Sequence, residues 1–140
     1  MKGYKRHDFY IRVKRAGEPS LEEHTGGYIT VRKGITYACE RQPVEGKELR
    51  WTVWHVLTGL RVTSQPLRTI QDVEDFLKDL DHRHIIMAVY RILEVARERG
   101  TQGFMDVYEA GGKTLGWKKT EEEFDLYDKV CGRPAERILL

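Results

Sequence analysis

The stretch "WTVWHVLTGLRVTS", residues 51–64, contains two apolar runs on either side of the pair Thr58-Gly59. A pair of this kind between β-rich runs is typical of a two-residue hairpin turn. Successive strand residues point to opposite faces, so Trp51 and Trp54 cannot both face a core. In the predicted register one face carries Trp51, Val53, His55, Leu57, Leu60 and Val62, and the other carries Trp54, Val56, Arg61 and Thr63. The second tryptophan therefore needs a different partner.

The residues before this stretch also predict strands. "DFYIRVKR", residues 8–15, alternates between apolar and polar side chains, which is the pattern of a half-buried strand. Residues 16–27 are expected to form a loop, because Pro19 and the pair Gly26-Gly27 interrupt the pattern. "YITVRKGITYACER", residues 28–41, is β-rich, and we expect a hairpin that turns at Lys33-Gly34.

Helical periodicity follows the strands. Thr69, with Asp72 three residues later, predicts a capped helix over "IQDVEDFLKDL". A second apolar stripe runs from residue 85 to residue 96, and "DHRH" at 81–84 marks a kink or the junction of two helices. Thr120 and Glu123 form another capping-box pattern, before "EEEFDLYDKV". Strands followed by helices predict an α+β protein: an antiparallel β-meander of about four to five strands followed by helices packed on one face.

The chain has 140 residues, which predicts a single domain with its own core. No apolar run is long enough to span a bilayer, and the basic N-terminus lacks the apolar stretch of a signal peptide. We therefore expect a cytoplasmic protein. Cys39 and Cys131 have no metal-ligand spacing, and both are expected to be free thiols, with Cys39 buried in a strand.

Charge is divided unevenly along the chain. Residues 1–68, the mainly β part, hold 13 Lys/Arg and 7 Asp/Glu, a net charge of +6. Residues 69–140, the mainly helical part, hold 11 Lys/Arg and 15 Asp/Glu, a net charge of −4. A basic first part and an acidic second part favour either a polarised surface that attracts an anionic partner or two merely solvated surfaces.

Basic and aromatic residues alternate with the expected core positions of the strands. If the helices cover one face of the sheet, the other face carries Tyr10, Arg12, Lys14, Trp54 and Arg61. Bases stack on aromatic rings and Lys or Arg contacts phosphates, so this pattern predicts a small non-enzymatic module that binds DNA or RNA. The alternative for Trp54 is that it packs beneath a loop or the C-terminal segment.

A second hypothesis is a protein-binding regulator or inhibitor of a nucleic-acid enzyme, of the kind that phages and other mobile elements encode. Its contact surface would be the acidic start of the last helix or the apolar helical surface, and residues 85–96 could instead join a homodimer. The helix N-terminus itself favours negative charge, which is the structural interpretation of the acidic cluster. The acidic candidates are Glu121, Glu122, Glu123, Asp125 and Asp128.

Three other patterns give weaker signals. Asp79, Asp81, His82 and His84 are metal-ligating types, but two histidines two residues apart on a helix cannot share an ion. Cys39 with His55 would need a third group to act as a nucleophile and base, so we expect His55 to be a hydrogen-bonded core residue. "GKT" at 112–114 lacks the first glycine of a phosphate loop, because position 107 is Val107. We expect no catalytic site, cofactor or metal.

Overall fold

A computed structural model describes residues 3–15, 18–44, 48–98 and 112–131. At residues 12–15, 18–25, 44 and 92–98 it describes the backbone only. The chain divides into two compact units, Met1–Leu80 and Asp81–Leu140. The first unit contains a four-stranded sheet and one helix, and the second contains helices, so the predicted α+β class is confirmed.

The first unit is built on an antiparallel meander in the order β1-β2-β3-β4. Its strands are β1 (Lys5–Arg15), β2 (Glu18–Arg32), β3 (Ile35–Val44) and β4 (Glu48–His55), and α1 (Ile70–Asp79) follows them. The turn between β2 and β3 is the predicted one. Lys33 and Gly34 both have positive φ, 55° and 81°, as a tight turn compatible with strand twist requires.

The predicted loop at residues 16–27 is wrong, because most of it belongs to β2. Arg15 pairs with Glu18 and the ladder continues to Lys5 and Ile29. The glycine pair does not break the strand. His7 pairs with Gly27 and Phe9 pairs with His24. One residue of β1 therefore lies opposite two residues of β2, and one of these two, Gly26, has a φ of 76°. The glycines therefore form a β-bulge within a long hairpin.

The pairing register defines two faces of the sheet. Tyr28, Cys39 and Val53 are cross-strand neighbours, and Trp51 pairs with Arg41. We call this side the α1 face, because Glu74 of α1 binds Arg32, which lies on the same side of β2. The other side, which we call the Trp54 face, carries Lys5, Ile29, Ala38 and Trp54.

One part of the core of the first unit lies on the α1 face beside the helix. Tyr37 and Val53 are fully buried, and His55 is 2% exposed. On α1, Val73 and Leu77 are buried. The predicted capping box is confirmed, since Thr69 Oγ1 accepts from the Asp72 N–H at 3.0 Å and the Asp72 carboxylate accepts from the Thr69 N–H at 3.2 Å. The buried apolar and aromatic side chains thus join α1 to the sheet.

The hairpin predicted at Thr58-Gly59 exists as a wider turn. Gly59 has a φ of 69°, but Trp54 lies opposite Arg61, where the sequence register placed Thr63. Thr63 is buried, and its Oγ1 accepts from the Val53 N–H at 3.3 Å. The segment then runs back along β4, where Trp51 and Leu67 exchange two backbone hydrogen bonds of 2.7 and 2.8 Å. This segment covers the edge of β4 that would otherwise be open.

The second unit contains α2 (His82–Glu98) and α3 (Trp117–Cys131), which contact each other, and a helical turn at residues 112–115. The junction near Asp81 is two helices: α1 ends at Asp79 and Asp81 caps α2, with its Oδ1 accepting from the His84 N–H at 3.3 Å. A glycine just after a helical stripe predicts a helix end at Gly100, and this residue lies outside the described residues.

The capping box predicted at Thr120 is wrong. The helix begins at Trp117, after Gly116, whose φ is 82°. Thr120 is fully buried inside the helix, and its Oγ1 donates to the Gly116 carbonyl at 2.9 Å. Glu123 is also buried, and it accepts from the Tyr127 hydroxyl. A threonine within a first helical turn thus satisfies its hydroxyl by bonding back along the helix.

Candidate nucleic-acid interface

The structure does not place the five predicted binding residues on one face. Trp54 and Arg61 lie opposite each other on the Trp54 face, where Trp54 is half-buried and Arg61 is exposed. Tyr10 follows Phe9 in β1, so the two side chains point to opposite faces of the sheet. A Cβ on Gly27, which shares the Trp54 face with Ile29, would overlap the Phe9 ring, so Phe9 lies on that face and Tyr10 on the α1 face.

Arg12 and Lys14 follow Tyr10 at the same parity along β1, so their strand positions belong to the α1 face. Their side chains lie outside the described residues. The expectation of one open surface is therefore wrong for a physical reason: it rested on a guessed register. The pairing across four strands puts Trp54 in line with Lys5, Ile29 and Ala38.

The centre of the Trp54 face is covered. Ala38, the cross-strand neighbour of Trp54, is fully buried, and Thr36 and Glu40 on the same side of β3 are 5% exposed each. A surface that binds an extended polymer must be accessible across several strands. The Trp54 face does not have that accessibility at β3, which favours a packing role for Trp54.

The α1 face has a basic and aromatic region at the end that lies away from the helix. We call it the open end and define it as Arg6, Tyr28, Arg41 and Trp51. Arg6 pairs with Tyr28 across β1 and β2, and Arg41 pairs with Trp51 across β3 and β4. The four residues therefore come from four different strands and share one face.

The open end is organised around a buried ring. Trp51 is 7% exposed, and its ring centroid lies 6.1 Å from that of Tyr28, with the two planes tilted by 50°. The Arg41 guanidinium lies 6.0 Å from the Trp51 ring centroid. Both arginines are exposed and Tyr28 is half-buried. Trp51 thus contacts the Tyr28 ring from the side and holds Arg41 by a cation–π contact.

The margins of the open end are mixed in character. Pro43 and Leu49, which pair with each other beyond Arg41 and Trp51, are both exposed. Asp8, two residues along β1 from Arg6, is an exposed acidic residue. The open end therefore has a basic and aromatic centre, an apolar margin on β3 and β4, and one carboxylate on β1.

A basic residue at the opposite end of the same face is engaged differently. Arg32 binds both carboxylate oxygens of Glu74 and also donates to Thr30 Oγ1 at 3.1 Å. The Tyr4 hydroxyl donates to Glu74 at 2.5 Å. These donors lower the pKa of Glu74 to about 2, with the Arg32 hydrogen bond as the largest cause. We call Tyr4, Arg32 and Glu74 the clasp, because it ties the chain start and β2 to α1.

The weak nucleophile pattern receives no support. Burial lowers the pKa of His55 to about 3 and raises the pKa of Cys39 to about 12. His55 Nδ1 accepts from the Thr58 N–H at 3.3 Å, and the Cys39 thiol donates to the Tyr28 carbonyl at 3.7 Å. Burial disfavours both the thiolate and the imidazolium that a nucleophile and base would form, so His55 is the hydrogen-bonded core residue that we expected.

The structure also describes the candidate metal ligands near Asp81 and the acidic cluster of the last helix. Over the parts of the chain that the structure describes, no group of three or more His, Cys, Asp or Glu could hold a metal ion. Asp81 instead caps α2. In the acidic cluster, Glu122 and Asp125 are exposed, but Glu123 is buried. The predicted acidic patch thus loses Glu123, which packs with Tyr127.

Arg6, Tyr28 and Arg41 were not among the binding residues predicted from the sequence. The signal was present as alternation: Arg6 precedes Tyr10 by four residues, and Arg41 follows the buried Cys39 by two. What could not be read was the pairing of these strands, which alone brings the three residues together. Trp51 was correctly expected on the core face, although its contact with Arg41 was not foreseen.

Comparison with known proteins gives no match, whether to a family model, a curated protein or a solved structure. Among the described helices, none has the length and apolar character needed to cross a membrane.

Proposed function

We propose that the chain is a small nucleic-acid-binding module that uses the open end of the α1 face. The observation that supports this proposal is that two exposed arginines, Arg6 and Arg41, lie near the half-buried Tyr28 and the buried Trp51 on one face of the sheet. Each of the four residues comes from a different strand. Guanidinium groups contact phosphates, and a ring on a sheet face can stack on a base. The proposal replaces Trp54 by Tyr28 as the stacking residue.

The charge of residues 1–68 agrees with this function. The basic excess of residues 1–68 attracts a polyanion over distances comparable to the Debye length. Tyr10 and the positions of Arg12 and Lys14 extend the same face along β1. We therefore retain these three as an extension of the interface, and we no longer place Trp54 and Arg61 in it.

The experiment is fluorescence anisotropy with labelled single-stranded DNA, duplex DNA and RNA at about 50 and 200 mM salt. Two double variants with the same change in charge are compared. Arg6→Glu with Arg41→Glu removes the arginines of the open end, whereas Lys5→Glu with Arg61→Glu reverses two exposed charges of the Trp54 face.

We expect the wild-type chain to bind in a salt-sensitive way. The open-end variant should weaken binding by about tenfold or more, since each lost phosphate contact removes both charge and counterion release. The matched variant should change binding by about threefold or less. Absence of binding by the wild-type chain at low salt, or equal losses in the two variants, would overturn the proposal.

The second candidate function, protein binding, is favoured by one observation in the second unit. Trp117 is 53% exposed, and Glu121 and Asp125 follow it at four-residue spacing, so the three lie along one side of α3. Such a surface fits a basic protein segment. Its test is binding of a labelled oligolysine peptide, which should be lost in Glu121→Lys with Asp125→Lys and kept in the α1 control Asp75→Lys with Asp79→Lys, two exposed positions.

A further inference from the structure

The geometry of the open end points to an unpaired strand as its ligand, and this inference rests on the proposed function. We propose that Tyr28 stacks on an unpaired base while Arg6 and Arg41 contact backbone phosphates that lie about two nucleotides apart on the same strand. The ligand class is single-stranded DNA or RNA, and a duplex is excluded from the stacking contact.

The spacing of the arginines supports a short binding site. Arg6 and Arg41 lie on β1 and β3, two strand spacings apart. Arg6 is directly level with Tyr28 and Cys39 across the sheet, and Arg41 lies two residues beyond Cys39 along β3. Sheet geometry then separates the two Cα atoms by about 12 Å. An extended single strand covers that distance in about two nucleotides.

The position of Tyr28 supports stacking. Tyr28 lies on β2, between the strands that carry the two arginines, so a nucleic-acid strand that contacts both crosses β2 next to Tyr28. Trp51 holds one side of that ring at a centroid distance of 6.1 Å. A supported ring loses little freedom when a base stacks on it. The bases of a duplex are already paired and stacked, and they cannot make this contact.

The experiment separates phosphate contact from base stacking. Labelled oligothymidylates and oligouridylates of about two, four and eight nucleotides are titrated against the full chain, with an abasic strand and a duplex of the longest length. We expect thymidylate and uridylate to bind about tenfold more tightly than the abasic strand, and affinity to be established by about four nucleotides.

Tyr28→Ala and Tyr28→Phe are the matched variants. The alanine variant should bind the abasic strand like the wild type and lose the tenfold advantage of strands with bases, and the phenylalanine variant should keep it. Urea unfolding verifies that both variants are folded. A preference for thymidylate over uridylate, or the reverse, identifies DNA or RNA as the source of the strand.

The failures are distinguishable. Equal binding of the abasic strand and the strands with bases, or a duplex bound as tightly as a single strand, overturns this inference and leaves the proposed function in place. Absence of binding to every nucleic acid overturns the proposed function and this inference together.

Discussion

The α1 face of the sheet has two ends that follow the same strand alternation and differ in what lies on them. At one end α1 and the turn after β4 cover Tyr37 and His55, and the clasp closes the margin. At the other end Tyr28 and Arg41 remain accessible around Trp51. The comparison indicates that coverage by a helix separates residues that stabilise this sheet from residues free to contact a partner.

The largest expected difference between the two ends is in the stability of the variants Tyr37→Ala and Tyr28→Ala. Tyr37 is fully buried and meets His55 edge to face with ring centroids 6.3 Å apart. Its loss should lower the free energy of unfolding by about 3–5 kcal/mol, because a large cavity remains. Tyr28→Ala should cost about 1 kcal/mol, because Tyr28 is only half-buried. Urea unfolding measures both, and equal losses would show that the open end is structural.

Gly27→Ala, next to Tyr28 in β2, tests the packing on the other face of the sheet. A Cβ there would overlap the Phe9 ring, and Phe9 is fully buried. We expect a loss of about 1–3 kcal/mol from overpacking, although the change adds only one methyl group. The measurement is thermal or urea unfolding, with the exposed Lys33→Ala as the control. An unchanged free energy of unfolding would contradict the placement of Phe9 over Gly27.

The clasp predicts an acid-sensitive contribution to stability. The pKa of Glu74 in the folded chain is about 2, below its ordinary value of 4.5, so its contribution is present above pH 5 and is lost as pH falls toward 2. After solvent screening we expect about 1–2 kcal/mol. Unfolding of the wild type and Glu74→Gln, followed from pH 7 to pH 2.5, measures it.

The control for the clasp is Asp75→Asn, which removes an exposed carboxylate from the same helix. Glu74→Gln should flatten the acid limb of the stability profile, and Asp75→Asn should preserve it. Identical acid limbs for the wild type and Glu74→Gln would mean that the covered end is not held by the clasp.

The smallest expected effect is at the helix cap. Thr69→Ala removes the hydroxyl that accepts from the Asp72 N–H, and it should cost about 1 kcal/mol. Thr69→Ser keeps the acceptor and should restore most of the loss. Neither change should alter oligonucleotide affinity, because α1 lies at the covered end. A cap variant that weakens binding would contradict the separation of the two ends.

Local signals in the sequence predicted much of the fold. Alternation identified β1, Lys33-Gly34 identified a turn, and Thr69 with Asp72 identified the start of α1. Each depends on residues within a few positions of one another. The same type of signal failed at Thr120, because a threonine and a glutamate at capping spacing also occur inside a helix, where Thr120 bonds back to Gly116.

The candidate interface was less predictable, because it depends on pairing between strands. Tyr10 and Trp54 were expected on one face, and the ladders place them on opposite faces. The bulge at Gly26 was mistaken for a loop, so the pairing of β2 with β1, which brings Tyr28 next to Arg6, was not predicted. A residue such as Arg41 becomes informative only when its partner Trp51 is known.

The most direct test of the central claim uses two single-tryptophan proteins. In the double variant Trp54→Phe with Trp117→Phe, the tryptophan fluorescence comes from Trp51 of the open end. In Trp51→Phe with Trp117→Phe it comes from Trp54 on the other face. Both are titrated with unlabelled oligothymidylate at low salt, and unfolding verifies that each is folded. We predict that the strand changes Trp51 emission and leaves Trp54 emission unchanged. A change confined to Trp54, with Trp51 silent, would contradict the assignment of binding to the open end.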